Sequence, residues 1–198
     1  MKKYFVPIAL ILLLAGSASY AWMGAGQMAG SVPVGVCSTD TDEALYSQDT
    51  GTDEVNSISA TVYVSQKFTL ASSSTLTGYN VYVQRTGFGE GSKFAEIWTD
   101  SSGQPGVVVA DSRALRTYAS LSDTMTKEFF ELSSTKALAV GTYHVVIGWT
   151  TTGTSPASRT LANNADPDGG VSFYSTDSGS SWYAGDRDLR IEVLGCVD

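Results

Sequence analysis

Residues 142–149 read Thr-Tyr-His-Val-Val-Ile-Gly-Trp, TYHVVIGW. Tyr143, Val145, Ile147 and Trp149 stand two apart, and β-branched and aromatic residues dominate the run. That period is a strand's, because successive side chains of extended backbone point to opposite faces. Outward in both directions the texture repeats. Ile58, Ala60, Val62 and Val64 alternate and lead on to Lys67-Phe68-Thr69-Leu70. Tyr79, Val81 and Val83 share a face, and Phe94, Glu96 and Trp98 oppose Ala95 and Ile97. Residues 107–110, 127–132, 171–174, 182–183 and 188–194 continue the series, the last with Leu189, Ile191 and Val193 inward. Turn-forming clusters such as Asp100-Ser101-Ser102-Gly103-Gln104-Pro105-Gly106 separate the runs. No run has helical period, and no repeat of propeller or solenoid length is present. The pattern predicts an all-β protein, an antiparallel β-sandwich of jelly-roll type with about eight or nine strands. Residues 150–170 read as one long irregular loop, a length that favours function.

The N-terminus sets the expected compartment. Met1-Lys2-Lys3 precedes an apolar run at 6–15, and Ser19-Tyr20-Ala21 supplies small residues for cleavage before Trp22. This is the layout of a secretory signal peptide at 1–21. The run is too short to span a bilayer, which takes roughly 20 residues. Ser17 stands where a lipoprotein would need cysteine. Residues 22–36, WMGAGQMAGSVPVGV, form an uncharged Gly/Ala/Met-rich leader or linker. The sandwich domain is expected over 37–198, secreted to the extracellular space, the cell surface or the periplasm, with no stable membrane insertion after cleavage.

Removal of 1–21 takes away two lysines and no acid, leaving 10 basic against 20 acidic residues and a net charge of −10. Such a surface repels phosphate backbones, which excludes nucleic acid as a partner. The two cysteines, Cys37 and Cys196, bracket the domain, and oxidising secretion predicts a disulfide between its first and last strands.

Several pieces in order resemble a known family. They are Gln66-Lys67-Phe68-Thr69-Leu70, Leu76-Thr77-Gly78-Tyr79-Asn80-Val81, Ala95-Glu96-Ile97-Trp98-Thr99-Asp100 with its Gly103-Gln104-Pro105-Gly106 turn, Leu138-Ala139-Val140-Gly141-Thr142-Tyr143, residues 174–182 and Asp188-Leu189-Arg190-Ile191. Together they resemble the secreted bacterial β-sandwich modules called choice-of-anchor R domains, which are similar to jelly-roll carbohydrate-binding modules. The resemblance implies a surface module and carries no shared catalytic activity.

Residues 175–182, Ser-Thr-Asp-Ser-Gly-Ser-Ser-Trp, match Ser-x-Asp-x-Gly-x-x-Trp and resemble the Asp-box turn of sialidases. A sialidase needs several boxes, a chain of roughly twice this length and an arginine cluster, and this sequence has one box and scattered arginines. The box is therefore expected as a hairpin turn, with Asp177 and Ser175 bonding backbone amides and Trp182 packed beneath. His144 is the only histidine, so any Ser-His-Asp triad must use it. Glu96, on the face of Phe94 and Trp98, is the carboxylate that burial would make an acid, although a solvent-facing position is the ordinary one. One histidine and two oxidised cysteines leave no soft-metal site. Calcium is the cation that suits this sequence: Asn163, Asn164, Asp166 and Asp168 gather oxygen side chains in a Gly-ended loop, with Asp186 and Asp188 as neighbours, although a plain Asx-rich turn is the ordinary reading of such a loop. Asn164, Asp166 and Asp168 are the core of that site. For sugar binding the requirement is an exposed aromatic platform, and Trp149, Tyr174, Trp182 and Tyr183 are its candidates.

The expected function is a non-catalytic secreted module that binds glycans or builds surface or matrix structure through other surface proteins. Two alternatives accompany it. One is a subunit of an extracellular filament that self-associates through the 22–36 leader, and the other is a small glycoside hydrolase.

Overall fold

The computed structural model describes residues 43–48, 53–58, 60–87, 89–150, 157–163 and 172–198. The expected signal peptide and leader, and Cys37, lie outside the described residues. Fourteen strands follow in order: β1 (Glu43–Gln48), β2 (Asp53–Ile58), β3 (Tyr63–Leu70), β4 (Ser74–Thr86), β5 (Ser92–Ser101), β6 (Gln104–Val108), β7 (Ala114–Thr117), β8 (Thr126–Leu138), β9 (Gly141–Trp149), β10 (Ala157–Asn163), β11 (Ser172–Ser175), β12 (Tyr183–Ala184), β13 (Asp188–Leu189) and β14 (Ile191–Val197). A single 3-10 turn, Tyr118–Ser120, is the one helical element among them.

The strands form two antiparallel sheets of seven. Eight strands make the jelly roll: β1-β14-β4-β8 in the first sheet and β3-β9-β5-β7 in the second. The chain crosses between sheets from β3 to β4, β4 to β5, β7 to β8 and β8 to β9, and the last strand slots between β1 and β4. The remaining strands extend this frame. β6 shares the edge of β5 with β7, and β11 and β12 continue the second sheet beyond β3. β10 pairs with β4 at Val83–Thr86 positions, on the same edge that β14 occupies at Ser74–Val81 positions.

Alternation explains the core. Tyr79, Val81 and Val83 from β4, Val145 and Ile147 from β9, and Leu189, Ile191 and Val193 from the C-terminal strands all turn inward and are buried together. Burying a side chain of this size stabilises by about 1.5–3 kcal/mol. Two expectations are corrected. Residues 58–70 are not one strand, because a turn at Ala60 and Thr61 separates β2 from β3. Residues 150–170 are not one irregular loop, because β10 runs through them, paired with β4 and β2. Its sequence, ASRTLAN, is polar and sits between turn-rich stretches, so its order comes from its partners rather than from a pattern of its own.

The outer face of the second sheet is buried too. Phe94, Trp98 and Val146 form a second apolar cluster there, with Tyr63 and Trp182 packed against it. Gly148 makes this possible: a Cβ at that position would run into the rings of Tyr63 and Phe94, which meet edge-to-face at 5.0 Å. Gly148→Ala should therefore lower the unfolding free energy by about 1–3 kcal/mol through overpacking. The check is the urea midpoint, expected to fall at an unchanged m-value.

Candidate ligand-binding site

The Asp-box forms the turn between β11 and β12. Ser175 Oγ donates to Asp177 Oδ1 at 2.8 Å and accepts from the Gly179 N–H at 2.8 Å. Asp177 Oδ1 also accepts from the Ser181 N–H at 2.8 Å. These bonds, led by that from Ser175, hold the Asp177 carboxyl below its ordinary range. Ser178 and Gly179 both have positive φ, 58° and 86°. Gly179 is required twice, since a Cβ there would come within 2.7 Å of the Trp98 ring. The turn is seated from below. The Ser178 N–H donates to the Thr61 carbonyl at 2.9 Å, and Trp182 meets Trp98 edge-to-face at 5.6 Å.

The hairpin has two unlike sides. On one, Tyr174 and Tyr183 are cross-strand partners, stacked with centroids 5.4 Å apart and 28° between planes. They are 42 % and 52 % exposed. On the other, Phe173 stands edge-on to the His144 ring at 5.6 Å and helps to cover it. The four predicted platform residues thus separate. Tyr174 and Tyr183 come together at the surface, and Trp182 lies half-buried against Trp98. Trp149 does not join them: it is 1 % exposed and packs inside the sandwich on Tyr118. Its inward parity with Val145 and Ile147 decides its place.

Beneath the hairpin runs a polar chain, buried at Ser65 and His144 and partly open at Asp100. His144 Nε2 is 2.9 Å from Asp100 Oδ1, and His144 Nδ1 is 3.3 Å from Ser65 Oγ. Asp100 also accepts from the Gly103 N–H at 3.0 Å. These are the residue types of a hydrolase triad, with the two ring nitrogens in exchanged roles. Ser65 and His144 are fully buried, and Ser65 sits mid-strand between β9 and β11. The ladders on both sides engage the backbone that would have to supply an oxyanion hole. Glu96 is likewise buried, contrary to its expected solvent-facing place. Its two oxygens accept from Trp98 Nε1 at 2.8 Å and from Arg113 Nε at 2.6 Å, and the guanidinium lies 4.4 Å over the Phe94 ring. Both oxygens are thus committed to protein donors.

Asn164, Asp166 and Asp168 lie outside the described residues. Of their expected neighbours, Asp188 is buried and accepts from Gln66 Nε2 at 3.0 Å, which commits it to the core. Among the described residues no group of three His, Cys, Asp or Glu is placed to hold a metal ion. Cys196 lies on β14, opposite Thr75 of β4, and no described cysteine is free. A separate open cleft of about 470 Å³ lies between β7 and β8, lined by Arg113, Ala114, Leu115, Glu131, Leu132 and Ser133. Nothing in the sequence pattern pointed to it, because it forms where β7 of the second sheet meets β8 of the first, a packing that no local motif marks.

No family model matches the sequence, and no curated protein matches it. The resemblance to choice-of-anchor R modules therefore rests on the strand and turn pieces themselves.

Burial lowers the His144 pKa, and the Asp100 hydrogen bond only partly offsets this. The folded state thus holds its imidazole proton less tightly than the unfolded chain does. Its contribution to stability is complete above the unfolded value near 6.5 and is lost as pH falls through the lower folded value. Unfolding free energy measured from pH 7.5 down to pH 5 should decline in the wild type, and His144→Phe should remove the histidine's part of that slope.

Proposed function

We propose that the chain is a non-catalytic, secreted binding module whose ligand is a glycan held against the Tyr174–Tyr183 pair. The observation that carries this reading is the pair itself. Two large aromatic rings stand half-exposed, stacked in fixed register on a hairpin whose turn is bonded at four residues and anchored through Trp98. Aromatic side chains left at a surface offer a flat apolar face to the C–H side of a sugar ring, with the phenol oxygens at its rim for hydroxyls. Preorganisation matters because rings already ordered lose little entropy on binding. An acidic chain suits a neutral polyol better than an anionic polymer.

The non-catalytic part of the reading draws support from the other side of the hairpin. Ser65 and His144 are enclosed, and each oxygen of the buried Glu96 already accepts from a protein donor. The proposed module carries its secretory signal at 1–21 and a Cys37–Cys196 cross-link, and calcium held by Asn164, Asp166 and Asp168 belongs to the same reading.

The test is an array of immobilised oligosaccharides probed with the mature protein. Tyr174→Ala and Tyr183→Ala should each weaken binding by about tenfold, and the double variant more, with melting temperature little changed. Full retention of binding by the double variant, or no binding to any glycan, would refute the proposal.

A further inference from the structure

Lys93 belongs to neither the tyrosine site nor the polar chain beneath it. It stands at the start of β5, on the face that Ala95 and Ile97 turn to the core. Its side chain is fully buried. The amine donates to Ser158 Oγ of β10 at 2.6 Å, a bond that ties the second sheet to the first. The Trp149 ring of β9 lies 5.4 Å away. An ammonium needs acceptors for three protons, whereas a neutral amine is content with fewer.

Among the described residues, the groups around it do not supply a counter-charge. Arg116 of β7 is the cross-strand neighbour, and its charge is met by Glu128 of β8 at 2.7 Å. Arg85 of β4 stands opposite Ser158. Tyr118, whose ring packs tilted against Trp149, donates its hydroxyl to the carbonyls of Thr86 and Gly87. Glu96 belongs to the opposite face of β5, bound to Arg113. Among the described residues no carboxylate bonds Lys93.

We propose that the Lys93–Ser158 contact is a proton-controlled latch between the two sheets. With the amine neutral, the end of the sandwich between β5, β9 and β10 is closed. When the amine takes a proton, that end loosens so that the charge reaches water. Burial lowers the pKa of Lys93 from 10.5 to about 7. The closed form therefore binds the proton less readily than any form in which Lys93 is solvated. Closure is favoured progressively as pH rises from about 7 to about 10.5, and it changes no further below pH 7. The dependence of a one-proton latch is at most about tenfold per pH unit.

The first test is a ¹³C NMR titration of the lysine ε-carbons in the whole protein, with Lys93→Met to assign the signal. One lysine should titrate near neutral pH and be missing from the variant. If every lysine titrates near or above pH 10, the latch is refuted. Should Lys93→Met fail to fold, the wild-type titration decides alone, by the presence or absence of a near-neutral lysine. The second test is amide exchange at Ser158 and Thr160, corrected for the intrinsic pH dependence of exchange. Protection there should rise by up to about tenfold per pH unit between pH 7.5 and 9 in the wild type. The rise should vanish in Lys93→Met, and equal slopes in both proteins would contradict the proposal.

Discussion

The Asp-box turn pressed onto Trp98 is the contact on which the rest of the second sheet depends. A jelly-roll sheet ordinarily buries one face against its partner and leaves the other to solvent. Here Trp182 and Gly179 close over Trp98 on the second face, and Tyr63, Phe94 and Val146 complete the layer. β9 is consequently enclosed on both sides, with Val145 and Ile147 in the inner core and His144 and Val146 under the hairpin.

That enclosure explains why the polar groups beneath the hairpin are so fully hydrogen-bonded. A buried carboxylate or imidazole is costly unless its hydrogen bonds are made. Glu96 meets the requirement with Trp98 and Arg113, and His144 with Asp100 and Ser65. Both groups have the composition of a reactive centre and the surroundings of a structural one. The same hairpin turns its other side outward, where the stacked tyrosines are held in register. One turn thus seals a sheet face and presents a candidate platform.

Much of the framework is legible in the sequence, because burial in the inner core follows parity. Tyr79, Val81 and Val83, or Leu189, Ile191 and Val193, announce their facing by alternation and are buried accordingly. The Asp-box is legible for a similar reason, since the bonds that shape its turn fall within residues 175–181, and only its seating on Thr61 and Trp98 is long-range. The rest depends on long-range partners. Glu96 is buried because Arg113 reaches it, His144 because Asp100 and the distant β11 meet it, and Lys93 because Ser158 faces it from the other sheet. No local pattern marks such pairings. Trp149 shows the opposite lesson: its parity already placed it inward, whereas its position at a strand end suggested a rim.

The single histidine makes the central claim directly measurable. An imidazole N–H open to water exchanges too fast to give a resonance, whereas one bonded to Asp100 under Phe173 is shielded. A proton NMR spectrum in water should show one sharp downfield ring N–H in the wild type. Gly179→Ala, which forces the turn away from Trp98, should broaden or abolish it. If the wild type lacks that resonance, or the variant keeps it unchanged, the hairpin does not seal the sheet as described.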